Sequence, residues 1–507
     1  MATNDPSTER ETVEEAQQVS SVSKATTAIQ TAWTYRDVVL SLASTGVRYY
    51  TVGPAEQSWS IETALFIAGV KSLSHHRQST STIKPEDVDP VKATISARKR
   101  LRIAEQLNVK NGATADVLIK VNNNVGLKGI LEQSDQQETG QRTIEAEWQI
   151  HNDAKSNPNS TVLLYFHGGG YTLLNRRSHR PVTLLCSKML NCRVLSVDYR
   201  LSPETPFPGG LHDAISAYLY LTQDLAIPAK NIIVAGDSAG GGLSLALMLY
   251  LRDMNMSMVG AGYLLSPFCD PTGSLASWET NLSSDYLDLP KRHWPMNPMR
   301  CYLGQRYDEL LLHPYVTSSL ADLKGLPNLL IQAGGGETLR DESTLLAQRA
   351  AAAGVEVRHE VFDGGIHVFQ AFVKTDAAVA AFKALKQWYS TTFSQQQGGN
   401  FEQVDNLLQQ AFVQRDERLL KQSKDKRGKT IKSETQRVVR EPKFVFEPVQ
   451  EPAPQVKVRD DALEPIRKAV QEMNATKYYN VTHIYKARKN EKNVDGIVGR
   501  VRGILHL

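Results

Sequence analysis

Ile232-Ile233-Val234-Ala235-Gly236-Asp237-Ser238-Ala239-Gly240-Gly241 joins four apolar residues to a serine flanked by glycines. The apolar run has the length and composition of a strand buried on both faces, and Leu243 to Arg252 beyond it has helical spacing. A strand that passes into a helix across Gly-x-Ser-x-Gly must turn very tightly. The residues two before and two after the serine cannot then carry a bulky Cβ, which the glycines at 236 and 240 satisfy. Such a turn lifts the serine clear of the sheet, at the positive end of the next helix, where a developing oxyanion is stabilised. Taken alone, a pattern this short suits an inert turn equally well.

Outward from this stretch the chain alternates. Val162 to Phe166, Val194 to Val197, Tyr263 to Leu265 and Leu329 to Gln332 are brief apolar runs bounded by Gly, Asp, Ser or Pro. Thr143 to Ile150 alternates like a strand. Between the runs lie helical stretches such as Val182 to Leu190 and Leu211 to Leu225. Alternation of this kind predicts a mostly parallel sheet covered by helices on both faces. One run, Val162 to Phe166, leads straight into His167-Gly168-Gly169-Gly170, about 70 residues before the serine. Consecutive glycines leave backbone N–H groups free to point into a cavity, as an oxyanion hole requires. Both motifs, in this order and each after a predicted strand, make two inert turns a poor explanation.

With these motifs the chain resembles the hormone-sensitive-lipase-like esterases, among them arylacetamide deacetylases, bacterial arylesterases and fungal steryl acetyl hydrolases. The matching segments are Phe166 to Tyr171, Asp198-Tyr199-Arg200-Leu201-Ser202-Pro203-Glu204, Gly236 to Gly241, Ser266-Pro267, Gln332 to Glu342 and Gly364 to Phe369. They cover roughly residues 30 to 395. The resemblance implies an α/β-hydrolase fold: a mostly parallel central sheet with helices on both faces and a helical cap before the first strand. It also implies that Ser238 is a nucleophile and that the backbone N–H groups of Gly168, Gly169 and Ala239 form the oxyanion hole. The residues after about 395 resemble no named family, and their Gln/Gly-rich, Lys/Arg-rich and Pro-rich composition predicts a partly disordered C-terminal extension. By the resemblance, His167 would brace its loop, Asp198, Arg200 and Glu204 would form a supporting network, and Asp237 would be structural.

A serine hydroxyl needs a base and the base an orienting acid, which in this fold follow the serine in the order acid, then histidine. His367, in Gly364-Gly365-Ile366-His367-Val368-Phe369 after the strand-like Val355 to Phe362, matches the family's histidine loop; His359 is a rival inside that strand. The family usually places Asp where this chain has Glu337, in Gly335-Gly336-Glu337-Thr338-Leu339-Arg340-Asp341-Glu342. A carboxylate of either length can orient an imidazole. Asp341 is the alternative acid, and it also suits a helix cap.

The 507 residues, 41% hydrophobic and 22% charged, allow one large domain with appendages and a sizeable core. The net charge of +4 is unevenly placed. Val413 to Lys443 holds eleven Lys/Arg against five Asp/Glu, so the rest of the chain sums to about −2 and any basic footprint belongs to the tail. Four cysteines (Cys186, Cys192, Cys269, Cys301) lack CxxC spacing, which argues against a zinc site and a disulfide framework. No signal peptide and no run of about 20 apolar residues is visible, so the expected setting is cytoplasmic.

The expected domains are a disordered stretch at 1–28, a hydrolase domain at 29–395 (helical cap 29–110, catalytic core 111–395), and a linker with a C-terminal extension at 396–507. In the cap, Trp33, Tyr35, Trp59 and Phe66 would roof the pocket, with Tyr286 to Trp294 as a second cap element. In the extension, Phe401, Val404, Leu408, Phe412 and Leu419 share one side of a predicted helix. Lys421 to Lys432 could meet an acidic partner. Tyr478, Tyr479 and Tyr485 lie among basic residues, but no RNA- or DNA-binding motif accompanies them. The expected activity is hydrolysis of small or short-acyl, acetyl-type carboxylic esters through an acyl-enzyme, with no metal or organic cofactor. The alternative is a non-catalytic binding protein on the same fold; such proteins usually lose the serine or the histidine, and this chain keeps both.

Overall fold

A computed structural model describes residues 40–51, 59–72 apart from 60, 62, 63, 66 and 70, 85–101, 111–373 apart from 157 and 289–292, 375–393, 398–425, 444–476 and 478–487. Expectations for residues 1–28, for Trp33, Tyr35 and Phe66, and for the basic stretch after residue 425 fall outside them, as does part of Tyr286 to Trp294. The chain divides into two compact units, residues 1–84 with 286–288, and the remainder. In the first, residues 40–51 are helical. Tyr49 Oη donates to the Trp59 carbonyl at 2.9 Å and Ser41 Oγ to that of Ala68 at 3.3 Å, tying the helix to residues 59–72.

The second unit is built on one ten-stranded sheet. In chain order its strands are β1 (Gly112–Lys120), β2 (Thr143–His151), β3 (Val162–Phe166), β4 (Arg193–Val197), β5 (Ile232–Asp237), β6 (Ala261–Leu265), β7 (Asn328–Gly334), β8 (Val357–Phe362), β9 (Phe444–Pro452) and β10 (Tyr479–Ala487). They lie in the order β1-β2-β4-β3-β5-β6-β7-β8-β10-β9. Strands β3 to β8 are mutually parallel and β10 joins β8 in the same sense; β1–β2, β2–β4 and β9–β10 are antiparallel. The longer helices are α1 (Pro90–Leu101), α2 (Arg180–Leu190), α3 (Gly209–Leu219), α4 (Ala239–Asp253), α5 (Arg340–Ala352), α6 (Asp376–Thr392), α7 (Glu402–Asp425) and α8 (Glu464–Asn474).

The central strands are apolar on both faces because helices cover both. Leu163, Tyr165, Ile233, Ala235, Tyr263 and Leu265 pack against Val182, Cys186 and Leu190 of α2 and Phe382, Leu385 and Trp388 of α6. Gly262 faces the other way, where a Cβ would press on Met248 of α4. The expected alternation of strand and helix is therefore present: Val162–Phe166 keeps its expected bounds, and the other four apolar runs lengthen by one to three residues. All four cysteines are buried free thiols. No helix among the described residues is long and apolar enough to cross a membrane.

The extension is part of this unit. Val404, Leu408 and Phe412 of α7 are buried, as their spacing predicts, and the helix packs on β1. Arg193 clamps Asp405 through two bonds of 2.7 Å, and Arg415 donates to the Gly112 carbonyl at 2.9 Å. At the opposite edge β10 and β9 lengthen the sheet, while Ile466 and Val470 of α8 pack against Leu345 of α5. The ring of Tyr478 lies near that of His359, with centroids 6.4 Å apart.

Where the loop after β6 meets α5, two carboxylates are buried together, Asp270 of the loop and Glu342 of the helix. The N–H groups of Cys269 and Asp270 both donate to Glu342 Oε2, and Asp270 Oδ1 accepts from Thr272 Oγ1 at 2.6 Å. Burial lifts the Asp270 carboxyl from 3.8 to about 6 despite the Thr272 bonds, and burial beside Asp270 lifts Glu342 as well. A raised acid binds its proton more tightly in the folded state, so stability falls as pH rises from about 4 to about 6 and stays reduced above. Asp270→Asn keeps the Oδ1 acceptor and removes the charge. Denaturant unfolding should show a gain of about 1–3 kcal/mol near pH 7.5 and almost none near pH 4.

Candidate active site

Ser238 stands between the last residue of β5 and the first of α4 with φ +53° and ψ −120°. A non-glycine residue held there is strained, and its neighbours must enforce it. A Cβ on Gly236 would lie 2.4 Å from the Gly240 carbonyl and 2.6 Å from the Phe166 oxygen, and one on Gly240 would lie 2.0 Å from that same oxygen. The turn is thus pressed against the end of β3, as the glycine spacing predicts. It is also tied to its other side, because Ser238 N–H donates to the Leu265 carbonyl at 2.9 Å and its own carbonyl accepts from Phe268 N–H at 2.9 Å.

His367 lies in the loop after β8 and its Nε2 is 2.9 Å from Ser238 Oγ. Glu337, after β7, is fully buried, and its Oε2 stands 3.9 Å from His367 Nδ1. That is ion-pair range and longer than a hydrogen bond, a separation common before substrate tightens such a site. Between the two loops Ser266 Oγ donates to Glu337 Oε2 at 2.6 Å and accepts the Val368 N–H at 3.1 Å. Burial pushes the Glu337 carboxyl up and the His367 imidazole down, so either charge alone is disfavoured and the two charges together compensate.

Asp341 is engaged elsewhere. Its carboxylate holds the Arg340 guanidinium at 2.8 Å and accepts Ser277 N–H at 3.1 Å, within the first turn of α5. His359 is buried in β8 beneath Tyr478, apart from the serine, and burial holds its imidazole at about 4.

The loop after β3 corrects one expectation. Gly168 N–H donates to Asp237 Oδ1 at 3.0 Å, and a Cβ on Gly168 would lie 2.2 Å from the same carboxylate, so this N–H is committed to the protein. The N–H groups of Gly169, Gly170 and Ala239 donate to no acceptor among the described residues. Gly169 and Gly170 adopt φ +110° and +61°, a backbone open to glycine. His167 is fully buried, stacks on Tyr199 at 4.6 Å, and places Nδ1 2.8 Å from the Gly168 carbonyl. Burial holds its imidazole at about 4, hence neutral.

Behind the loop, Asp237 also accepts from Tyr165 Oη at 2.7 Å and lies 3.3 Å from His179 Nε2. Burial alone would raise its carboxyl, but His179 and Tyr165 outweigh it and hold it at about 2. Asp198 pairs with Arg176, Arg200 with Asp213 at 2.9 Å, and Glu204 with Arg98 at 2.6 Å, a network of supporting contacts.

One residue escaped the sequence reading altogether. Asp285 is fully buried; Oδ1 accepts His367 N–H at 3.0 Å and Oδ2 accepts Thr338 N–H at 2.8 Å and Thr338 Oγ1 at 3.0 Å. It joins the histidine loop to the acid loop, yet Ser283-Ser284-Asp285-Tyr286 carries no motif that would mark it. Asp285→Ala would leave buried donors unmet. Denaturant unfolding should show a loss of about 2–4 kcal/mol, and a smaller one for Asp285→Asn, which retains an acceptor.

A mostly parallel sheet with a strained serine at the strand-to-helix turn and a histidine in the loop after β8 defines an α/β-hydrolase. Residues 163–371 match the family model described as alpha/beta hydrolase fold. An acetyl-hydrolase of Streptomyces hygroscopicus is 35% identical over 214 residues, 41% of this chain and 68% of that protein. An esterase of Acinetobacter venetianus is 31% identical over 227 residues, 43% and 71% respectively. The crystal structure of an esterase from the bacterial hormone-sensitive lipase family superposes with a TM-score of 0.51 at 30% identity, covering 65% of this chain and 98% of that one. The chain belongs to the α/β-hydrolase family and, within it, to the hormone-sensitive-lipase-like, carboxylesterase-type hydrolases.

Proposed function

We propose that this chain hydrolyses carboxylic esters through an acyl-enzyme on Ser238, with His367 as general base and acid and Glu337 as the acid that orients it. The observation carrying this reading is the 2.9 Å approach of His367 Nε2 to the strained Ser238 hydroxyl, together with three backbone N–H groups that meet no acceptor among the described residues. His367 takes the hydroxyl proton as Oγ bonds to the ester carbonyl carbon. The oxyanion is held by the N–H groups of Gly169 and Ala239, with Gly170 as third donor in place of Gly168. As the tetrahedral intermediate collapses, the bond to the alcohol oxygen breaks and the alcohol leaves with the proton from His367. Water, deprotonated in turn by His367, attacks the acyl carbon and frees the acid and Ser238. Glu337 balances the imidazolium formed in each half. A short acyl group of the acetyl type is the proposed substrate class, supported by the likeness to an acetyl-hydrolase.

Labelling by a fluorophosphonate tests the nucleophile. Wild type should be labelled, and Ser238→Ala should lose both the label and about 10⁴- to 10⁶-fold in turnover of a p-nitrophenyl ester. A wild-type chain that neither labels nor turns over would leave only ligand binding on the same fold.

The acid is tested by comparison. Glu337→Gln should lower kcat by up to about 10⁴-fold, the value of such a carboxylate in a serine protease. Asp341→Asn should act through stability, costing about 1 kcal/mol of helix and ion-pair support, with kcat of the folded enzyme kept. Measuring kcat and melting temperature side by side reads both; an inactive Asp341→Asn at unchanged melting temperature would reverse the assignment.

A further inference from the structure

Besides Ser266 and Asp285, one more residue ties together the two loops that carry the proposed acid and base. The carbonyl of Phe362, at the end of β8, accepts Gly335 N–H at 2.7 Å and Gly365 N–H at 2.9 Å. Its fully buried ring packs on Phe369, two residues past His367, at 4.8 Å. Any displacement of Phe362 is therefore passed to the acid loop and the histidine loop together.

Phe362 in turn rests on the C-terminal extension. Strand β10 pairs Val481, Thr482 and His483 with Glu360, Val361 and Phe362. The His483 ring lies flat on Phe362, with centroids 4.1 Å apart and planes 3° from parallel, and the His483 carbonyl accepts Asp363 N–H at 3.2 Å. His483 Nε2 also stands 3.6 Å from Glu360 Oε1, whose carboxylate accepts Gln332 Nε2 of β7 at 2.8 Å. Of the strand's contacts, those of His483 fall where β8 ends and the histidine loop begins. The matched family region stops at residue 371, well before β10.

We propose that the C-terminal extension is a working part of the catalytic unit, in which His483 on β10 positions the acid and histidine loops by stacking on Phe362. His483 is a positioning residue, and the inference rests on the Ser238–His367–Glu337 reading above. Its flat ring fixes Phe362 laterally, which an aliphatic side chain of similar bulk cannot do to the same degree. A small misplacement of a base relative to its nucleophile lowers kcat far more than substrate affinity.

The test uses the full chain carrying His483→Leu, His483→Gln or His483→Phe, assayed on a p-nitrophenyl ester well below each variant's melting temperature. The two ringless variants, either of which suffices if the other does not fold, should lose about tenfold or more in kcat with KM changed less than about twofold. His483→Phe, which keeps a flat ring, should return kcat to within about threefold of wild type. Lowered melting temperatures with unchanged kcat would show that β10 only supports the fold and would overturn the inference. So would a His483→Phe as slow as His483→Leu. An active wild type with indifferent His483 variants refutes this inference alone, whereas a wild type inert to ester and fluorophosphonate removes the parent reading and this one with it.

Discussion

The contact between the turn at Ser238 and the end of β3 sets the terms for everything around it. Phe166 O sits within 2.6 Å of where side chains on Gly236 and Gly240 would begin, so the strand-to-helix turn and the following loop can be this close only with glycine at both places. From that one approach three consequences follow. Ser238 is forced into a positive φ and out of the sheet, His167 to Gly170 must start beside it, and Asp237 comes within reach of the Gly168 N–H. The proposed nucleophile and the proposed oxyanion donors are thus parts of one crossing rather than two loops that happen to meet.

Charge inside this crossing is sorted by how completely each carboxylate is satisfied. Asp237 has Tyr165, Gly168 and His179; Asp341 has Arg340 and Ser277; Asp285 has three donors from two loops. Each is spent on holding structure, because a carboxylate with fixed donors gains little from a new cation. Glu337 differs. Its Oε2 shares one hydroxyl hydrogen bond and its Oε1 meets no hydrogen-bond donor among the described residues, while burial disfavours its isolated charge. A buried, under-satisfied anion facing an imidazole gains most when that imidazole becomes charged. The chemistry is proposed for Glu337 on that ground as well as on its place in the chain.

Much of this was legible in the sequence because the turn chemistry is local. Gly-x-Ser-x-Gly after an apolar run, and the glycines after His167, declare themselves through steric demands that act within five residues. Apolar runs such as Val162 to Phe166 mark strands buried on both faces for the same reason. What escaped depends on contacts distant in sequence. Asp285 meets residues 53 and 82 positions away, and no local pattern encodes that. The role of Gly168 could not be read either, since three successive glycines look alike until the Asp237 carboxylate takes one N–H. β1 was missed because Ala115-Asp116-Val117-Leu118 is a half-exposed edge, with Leu118 64% exposed, and lacks the apolar run that gave away the core strands.

The same distinction explains the extension. Phe444 to Pro452 has a proline at 448 and another at 452, a composition that reads as a stretch unfit for a sheet. The register resolves this. Ala453 N–H donates to the Tyr478 carbonyl at 2.8 Å, so the antiparallel alternation makes Tyr479↔Pro452 and His483↔Pro448 pairs that exchange no hydrogen bonds. Both proline nitrogens therefore face outward, where β9 pairs with no further strand among the described residues and a missing N–H costs nothing inside the ladder. The prolines also remove two donors from the exposed edge, which discourages a further strand from adding there. β10 is thereby the inner strand of the pair, and its other side lies against β8, the strand that ends in Phe362.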